Sequence, residues 1–127
     1  MPIPASWSDK LLSVLRIVAG LSFLHHGTSK FFGIPPFPMP LNPLLTAAGV
    51  IELVGGALIL LGLFTRPTAF IASGMSAVGY FLIHAGKSPF PSVNGGEAIM
   101  LYCFIFLYLA AAGGGAWSLD ALRRKPA

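Results

Sequence analysis

The sequence predicts an all-α integral membrane protein, a four-helix bundle with its N- and C-termini in the cytoplasm. Three observations carry that expectation. Of 127 residues, 55% are hydrophobic and only 9% are charged, whereas a soluble domain uses roughly 25% charged residues to cover its surface. A mean hydropathy of +0.79 makes lipid the main solvent of the chain. Four apolar stretches of membrane-crossing length lie between clusters of helix breakers.

A spanning helix needs ~20 mostly apolar residues, because the hydrocarbon core is ~30 Å thick and each residue rises ~1.5 Å. The first stretch, about 11–29, ends before Pro35, Pro36, Pro38, Pro40 and Pro43. Arg16 inside it, and the lack of an Ala-x-Ala-like site after Leu24, read as a retained span and not a cleaved signal. The second, about 44–64, stops at Thr65-Arg66-Pro67. The third, about 68–85, stops at Gly86-Lys87-Ser88-Pro89. The fourth, about 96–113, runs into Gly113-Gly114-Gly115, where glycine terminates a helix. One domain covers 1–127.

The net charge of +4 raises the question of nucleic acid, but no dense basic stripe with interleaved aromatics is present, so none is expected. The basic residues read as topology signals instead. Lys10, Arg66, Arg123, Arg124 and Lys125 fall on one side of a four-span arrangement and only Lys30 and Lys87 on the other. The positive-inside rule places the first group in the cytoplasm, in a multi-pass protein of the cell (inner) membrane. A single cysteine, Cys103, excludes an internal disulfide, a Cys-x-x-Cys pair and a thiolate metal cage.

Ionisable side chains inside a membrane cost roughly 2.5–3.5 kcal/mol on insertion scales, so each one asks for a reason. On the first helix, Arg16, Gly20, Phe23, Gly27 and Lys30 share a line, with His26 beside it and His25 pointing away. On the second, Glu52 shares its face with Leu45, Ala48 and Ile59, while Val50, Val54, Leu58 and Leu61 face lipid. On the third, Ser73, Ala77, Tyr80 and His84 form a stripe. On the fourth, Glu97, Leu101, Phe104 and Tyr108 are expected to face inward. Depth groups His26, Lys30, His84, Lys87, Asn94 and Glu97 at the non-cytoplasmic end. Arg16 falls about 8 Å along the axis from Glu52. An outward-opening polar pocket follows, with Glu52 and His26 as catalytic candidates and Arg16, Lys30, Tyr80, His84, Asn94 and Glu97 as binding candidates. Beside it stands the plainer reading, in which Arg16 with Glu52 and Lys30 with Glu97 are structural ion pairs. Adjacent histidines point ~100° apart and make a poor metal pair, so no metal is expected.

Three ordered motifs resemble the DoxX family of small bacterial and archaeal membrane proteins. They are Arg16-Ile-Val-Ala-Gly20 continuing through Phe23-Leu-His-His26-Gly27-Thr-Ser-Lys30-Phe-Phe-Gly33; Gly49-Val-Ile-Glu52-Leu-Val-Gly55-Gly56 running on to Thr65-Arg66; and Asn94-Gly95-Gly96-Glu97 closing with Gly113 to Asp120. The resemblance implies a four-helix membrane bundle. It also implies an association with redox chemistry, because the family includes a membrane subunit of a thiosulfate:quinone oxidoreductase. Carried over by position, Arg16, His26, Lys30, Glu52, Asn94 and Glu97 are the residues that matter.

The leading functional expectation is a membrane subunit of a quinone-linked oxidoreductase, with a quinone as the ligand and electrons from a soluble or membrane-bound oxidoreductase partner. Its runner-up is a non-catalytic anchor or assembly subunit. A small-molecule or lipid carrier ranks third, since one four-helix chain shows no inverted repeat for alternating access and would have to work as a homo-oligomer. A vitamin K epoxide reductase-like mechanism needs paired cysteines, which this chain lacks.

Overall fold

A computed structural model describes residues 2–124, and within them every regular element is helical. Helix α1 (Ser8–Phe32) carries Asp9 in its first turn and Lys30 in its last, each at the favourable end of the helix dipole. It stops at Gly33, whose φ of 66° lets its N–H reach back to the Ser29 and Thr28 carbonyls. A proline-rich loop follows. Helix α2 (Pro43–Leu61) starts where the Asn42 side chain accepts the Leu45 N–H at 2.8 Å and Pro43 occupies the first turn. Helix α3 (Thr65–Lys87) leads through one helical turn, Pro91–Asn94, into α4 (Glu97–Ala112). A glycine-rich loop then carries the chain into a short helix, α5 (Leu119–Arg123).

The first three long helices are long and apolar enough to cross a membrane. The fourth is equally apolar but has 16 residues, a rise of ~24 Å. Two stretches loosen into π turns, Ile51–Gly55 in α2 and Tyr80–His84 in α3. Such turns interrupt the i→i−4 ladder and often mark functional positions. Glu52 lies in one, Tyr80 and His84 in the other.

Packing proceeds in pairs. α1 lies on α2 at backbone-to-backbone distance. A Cβ on Gly27 would stand 2.6 Å from the Leu53 nitrogen, one on Gly56 2.6 Å from the Leu24 Cα, and one on Gly20 2.7 Å from the Leu60 nitrogen. Small residues allow this approach where lipid offers no hydrophobic drive. α3 lies along α4, with Ala69, Ala72, Ser73 and Ser76 buried between them. The pairs meet at a small core in which Phe23 packs edge-on against Phe106, ring centroids 4.9 Å apart, and Ile59 and Leu109 close the gaps. Val18, Leu21, Val50, Val54, Phe70, Phe81 and Phe104 point outward, as a lipid-facing surface requires.

The sequence-based face of α4 is corrected here. Leu101, Phe104 and Tyr108 are exposed, as is Glu97, and the inward face carries Tyr102, Phe106 and Leu109. α4 is apolar all round, so periodicity gave no direction; contact with Phe23 decides it.

Candidate functional site

The register of α1 on α2 determines which charges meet. Gly20 stands level with Leu60, Leu24 with Gly56 and Gly27 with Leu53. Lys30, one turn beyond Gly27, is thereby brought to Glu52, and its ammonium donates to Glu52 Oε1 at 2.6 Å. Both side chains are buried, and among the described residues this is the single ion pair. The expected pairs, Arg16 with Glu52 and Lys30 with Glu97, do not form. In this register Arg16 lies roughly 18 Å, about three turns, from the level of Glu52. Glu97 sits exposed in the first turn of α4, where the helix dipole favours a carboxylate.

A cavity of about 740 Å³ opens beside the ion pair. Its polar tip is formed by Lys30, Glu52, His26, Tyr102 and His84; its walls are apolar residues of α2, α3 and α4. His26 faces Tyr102 edge-on at 6.0 Å, and the Tyr102 hydroxyl is held by Ser22 Oγ. His25 is exposed and does not line the cavity, its ring lying 4.4 Å from that of His26. Phe37 and Met39 of the proline-rich loop also line the cavity.

Asn94 is buried but lies outside this wall and organises the turn into α4. Its amide nitrogen donates to the Tyr80 hydroxyl and the Ser88 carbonyl, both at 3.0 Å, and its Oδ1 accepts the Gly96 N–H at 2.7 Å. His84 Nδ1 donates to the Asn94 carbonyl at 3.1 Å, which holds the imidazole at the cavity edge. Tyr80 is thus fixed behind the cavity and His84 upon it.

Arg16 is wholly buried at the opposite end of the bundle and points at backbone. Its guanidinium donates to the Gly114 carbonyl, to the Trp117 carbonyl at 3.0 Å and, more weakly, to the Leu60 carbonyl at 3.5 Å. Ser13 Oγ donates to the same Gly114 carbonyl at 3.0 Å and accepts the Trp117 N–H at 2.9 Å. Asp9 accepts the Ala116 N–H through its carbonyl, so the first turn of α1 meets the loop after α4 here.

Of the eight residues singled out in the sequence, then, Glu52, His26, Lys30 and His84 converge on one cavity. Tyr80 and Asn94 support its rim, Arg16 serves another end, and Glu97 faces away. Tyr102, Phe37 and Met39 were not among them. Tyr102 was readable only from the direction of α4, and the loop residues carried no periodic signal.

Fold and site together define a small multi-pass membrane bundle with a polar-tipped apolar cavity between its helices. The chain belongs to the DoxX family, whose model matches residues 11–85. An uncharacterized protein of Haemophilus influenzae is 47% identical over 120 residues, covering 86% of this chain and 87% of that protein. Inner membrane protein YqjF of Escherichia coli is 33% identical over 91% of this chain and 88% of its own length. A Bacillus subtilis protein named "Putative oxidoreductase CatD" is 28% identical over 84% and 82%. No solved structure matches the chain. This is an integral, multi-pass protein of the cell membrane.

Proposed function

We propose that the protein is a membrane subunit of a quinone-linked oxidoreductase system, with the cavity as its quinone site. The observation that carries this reading is the cavity itself: about 740 Å³, largely apolar, with a buried Lys30–Glu52 pair and His26 at one end. A quinone needs an apolar slot, donors for its carbonyl oxygens and a source of protons. Lys30 and His26 are the donors, and Glu52 is the group that passes protons. Reduction to the quinol takes up two electrons and two protons. The single cysteine gives no dithiol to supply the electrons, so they come from an oxidoreductase partner. The name of the B. subtilis relative fits a redox setting. The excess of Lys and Arg at the Arg16 end supports a cytoplasmic position for that end, with the cavity tip toward the opposite face.

The test is mass spectrometry of the organic extract of protein purified in mild detergent, with a membrane protein of equal size as background. Stoichiometric quinone that disappears in Glu52→Gln or His26→Ala supports the reading. Quinone at the control level overturns it.

A second reading, a non-catalytic anchor, is favoured by the closeness of Lys30 to Glu52, which leaves both groups satisfied without a ligand. A Lys30→Glu, Glu52→Lys exchange that restores full partner activity would support the anchor, because pairing alone would then suffice.

A further inference from the structure

The cavity is open along its side. α2 and α3 touch through Ile51–Leu61 near the Arg16 end and diverge toward the Lys30 end, where Pro43–Val50 packs chiefly on α1. The wedge between them is the cavity, and both of its edges are apolar. Leu44 and Ala48 form the α2 edge; Ile71, Gly74 and Val78 form the α3 edge. Leu44, Ile71 and Val78 are each more than half exposed. The end of the wedge, by contrast, is covered. Phe37, half-buried, lies over it with its ring centre 5.2 Å from the Lys30 ammonium, and Met39 borders it.

In a bilayer the side opening meets acyl chains while the covered end meets the interface. A water-soluble solute arriving from the end must displace an aromatic cover and then lie against apolar walls. An amphiphile arriving from the side exchanges one apolar environment for another, so its chain is transferred at little cost. Only its headgroup is discriminated, by the polar tip.

The geometry points to lateral loading. The cavity takes a membrane amphiphile between α2 and α3, its hydrogen-bond-accepting headgroup at Lys30, Glu52 and His26 and its apolar chain left in the wedge, while the proline-rich loop excludes water-soluble solutes. The inference goes beyond the redox reading and does not need it, since it concerns which class of molecule reaches the site and by which route.

The experiment uses full-length protein in liposomes with Cys103→Ser and a reporter, Ile99→Cys, on the far wall of the cavity. Two maleimides are compared, a long N-alkyl maleimide dissolved in the bilayer and a sulfonated one supplied to both aqueous faces. The alkyl reagent is expected to label at least tenfold faster. Gly74→Trp, at a position where an added Cβ meets nothing within 4 Å, is expected to slow it about tenfold, whereas Gly74→Ala leaves it unchanged. Val78→Trp repeats the block at a second point on the same edge. Equal or faster labelling by the sulfonated reagent, accelerated by Phe37→Ala and indifferent to both tryptophans, would overturn the inference in favour of end-on entry. Protection from both reagents would overturn it too. If Val78→Cys then forms oxidised dimers, a second copy fills the wedge; if it does not, the wedge is closed. None of these readouts involves quinone, so a failed quinone extraction and a failed labelling pattern remain distinguishable.

Discussion

Lys30 of α1 and Glu52 of α2 form a charge-assisted hydrogen bond of 2.6 Å with both side chains buried. Their meeting is a consequence of glycine. Gly27 brings α1 onto the Leu53 backbone, and Lys30, one turn on from Gly27, then meets Glu52, the neighbour of Leu53. Taking both ions out of water costs several kcal/mol each, and their attraction offsets this only while both are present. Removing one strands the other, at roughly 3–5 kcal/mol. Lys30→Ala and Glu52→Ala are therefore each expected to lower the melting temperature in detergent strongly. The apolar double variant Lys30→Met, Glu52→Leu is expected to regain most of the loss. A double variant as unstable as either single one would show that the pair is not what the singles disturb.

Arg16 is expected to act through the loop that it holds. Its planar fork serves the Gly114 and Trp117 carbonyls together, a geometry that an ammonium cannot reproduce. Arg16→Lys should cost about 1.5–3 kcal/mol, the range for a lost charged hydrogen bond, and Arg16→Met more, since buried carbonyls are then left unpaired. Hydrogen exchange and limited proteolysis would find the damage first in residues 113–124. Damage appearing first around His26 would contradict this assignment.

Two glycines provide a matched contrast. Gly27→Ala drives a Cβ to 2.6 Å from the Leu53 nitrogen and 2.8 Å from its Cα, and backbone cannot step aside cheaply. Overpacking of that kind costs about 1–3 kcal/mol or more. Gly74→Ala meets nothing and gains up to about 1 kcal/mol of helix propensity. Melting temperatures measured in the same detergent should move in opposite directions. A tolerated Gly27→Ala would mean that α1 and α2 stand further apart than described.

Much of this arrangement was legible in the residues. Breakers at the proline cluster, at Ser88-Pro89 and at Gly113 marked helix ends, and the faces of α1 and α2 followed from Arg16, Gly20, Phe23 and Gly27 and from Glu52 and Ile59. The stop expected at Thr65-Arg66-Pro67 lies instead in the first turn of α3, because the chain already leaves α2 at Gly62 with a φ of 72°. What failed was register. Span ends placed by hydropathy set Arg16 only about 8 Å along the axis from Glu52, whereas the contacts of Gly20 with Leu60, Gly27 with Leu53 and Gly56 with Leu24 seat Lys30 there instead. The direction of α4 was illegible because every face of it is apolar. The cover formed by Phe37 was illegible because a proline-rich loop has no period from which to read a contact.

Asp120 should give the protein a pH dependence at the Arg16 end. Phe64 adopts a left-handed φ of 52° at the entry to α3, a conformation costing on the order of 1–3 kcal/mol for such a residue. Asp120 holds it there. The N–H groups of Phe64 and Thr65 each donate to one carboxylate oxygen at 2.9 Å, and Arg123 lies nearby over the Phe64 ring. Burial raises the pKa of this carboxyl, but the two N–H groups and the Arg123 charge outweigh it and hold the group below its ordinary value of 3.8. A carboxyl depressed in the folded state stabilises fully above its unfolded pKa, and that contribution is lost as pH falls through the folded one. Asp120→Asn should therefore be clearly less stable than the parent at pH 6. The difference should shrink steadily as the pH is taken below 3.8. Melting temperatures of the two proteins in one detergent, read from pH 6 downward, would show this convergence. A constant gap would mean that Asp120 contributes through shape and not through its charge.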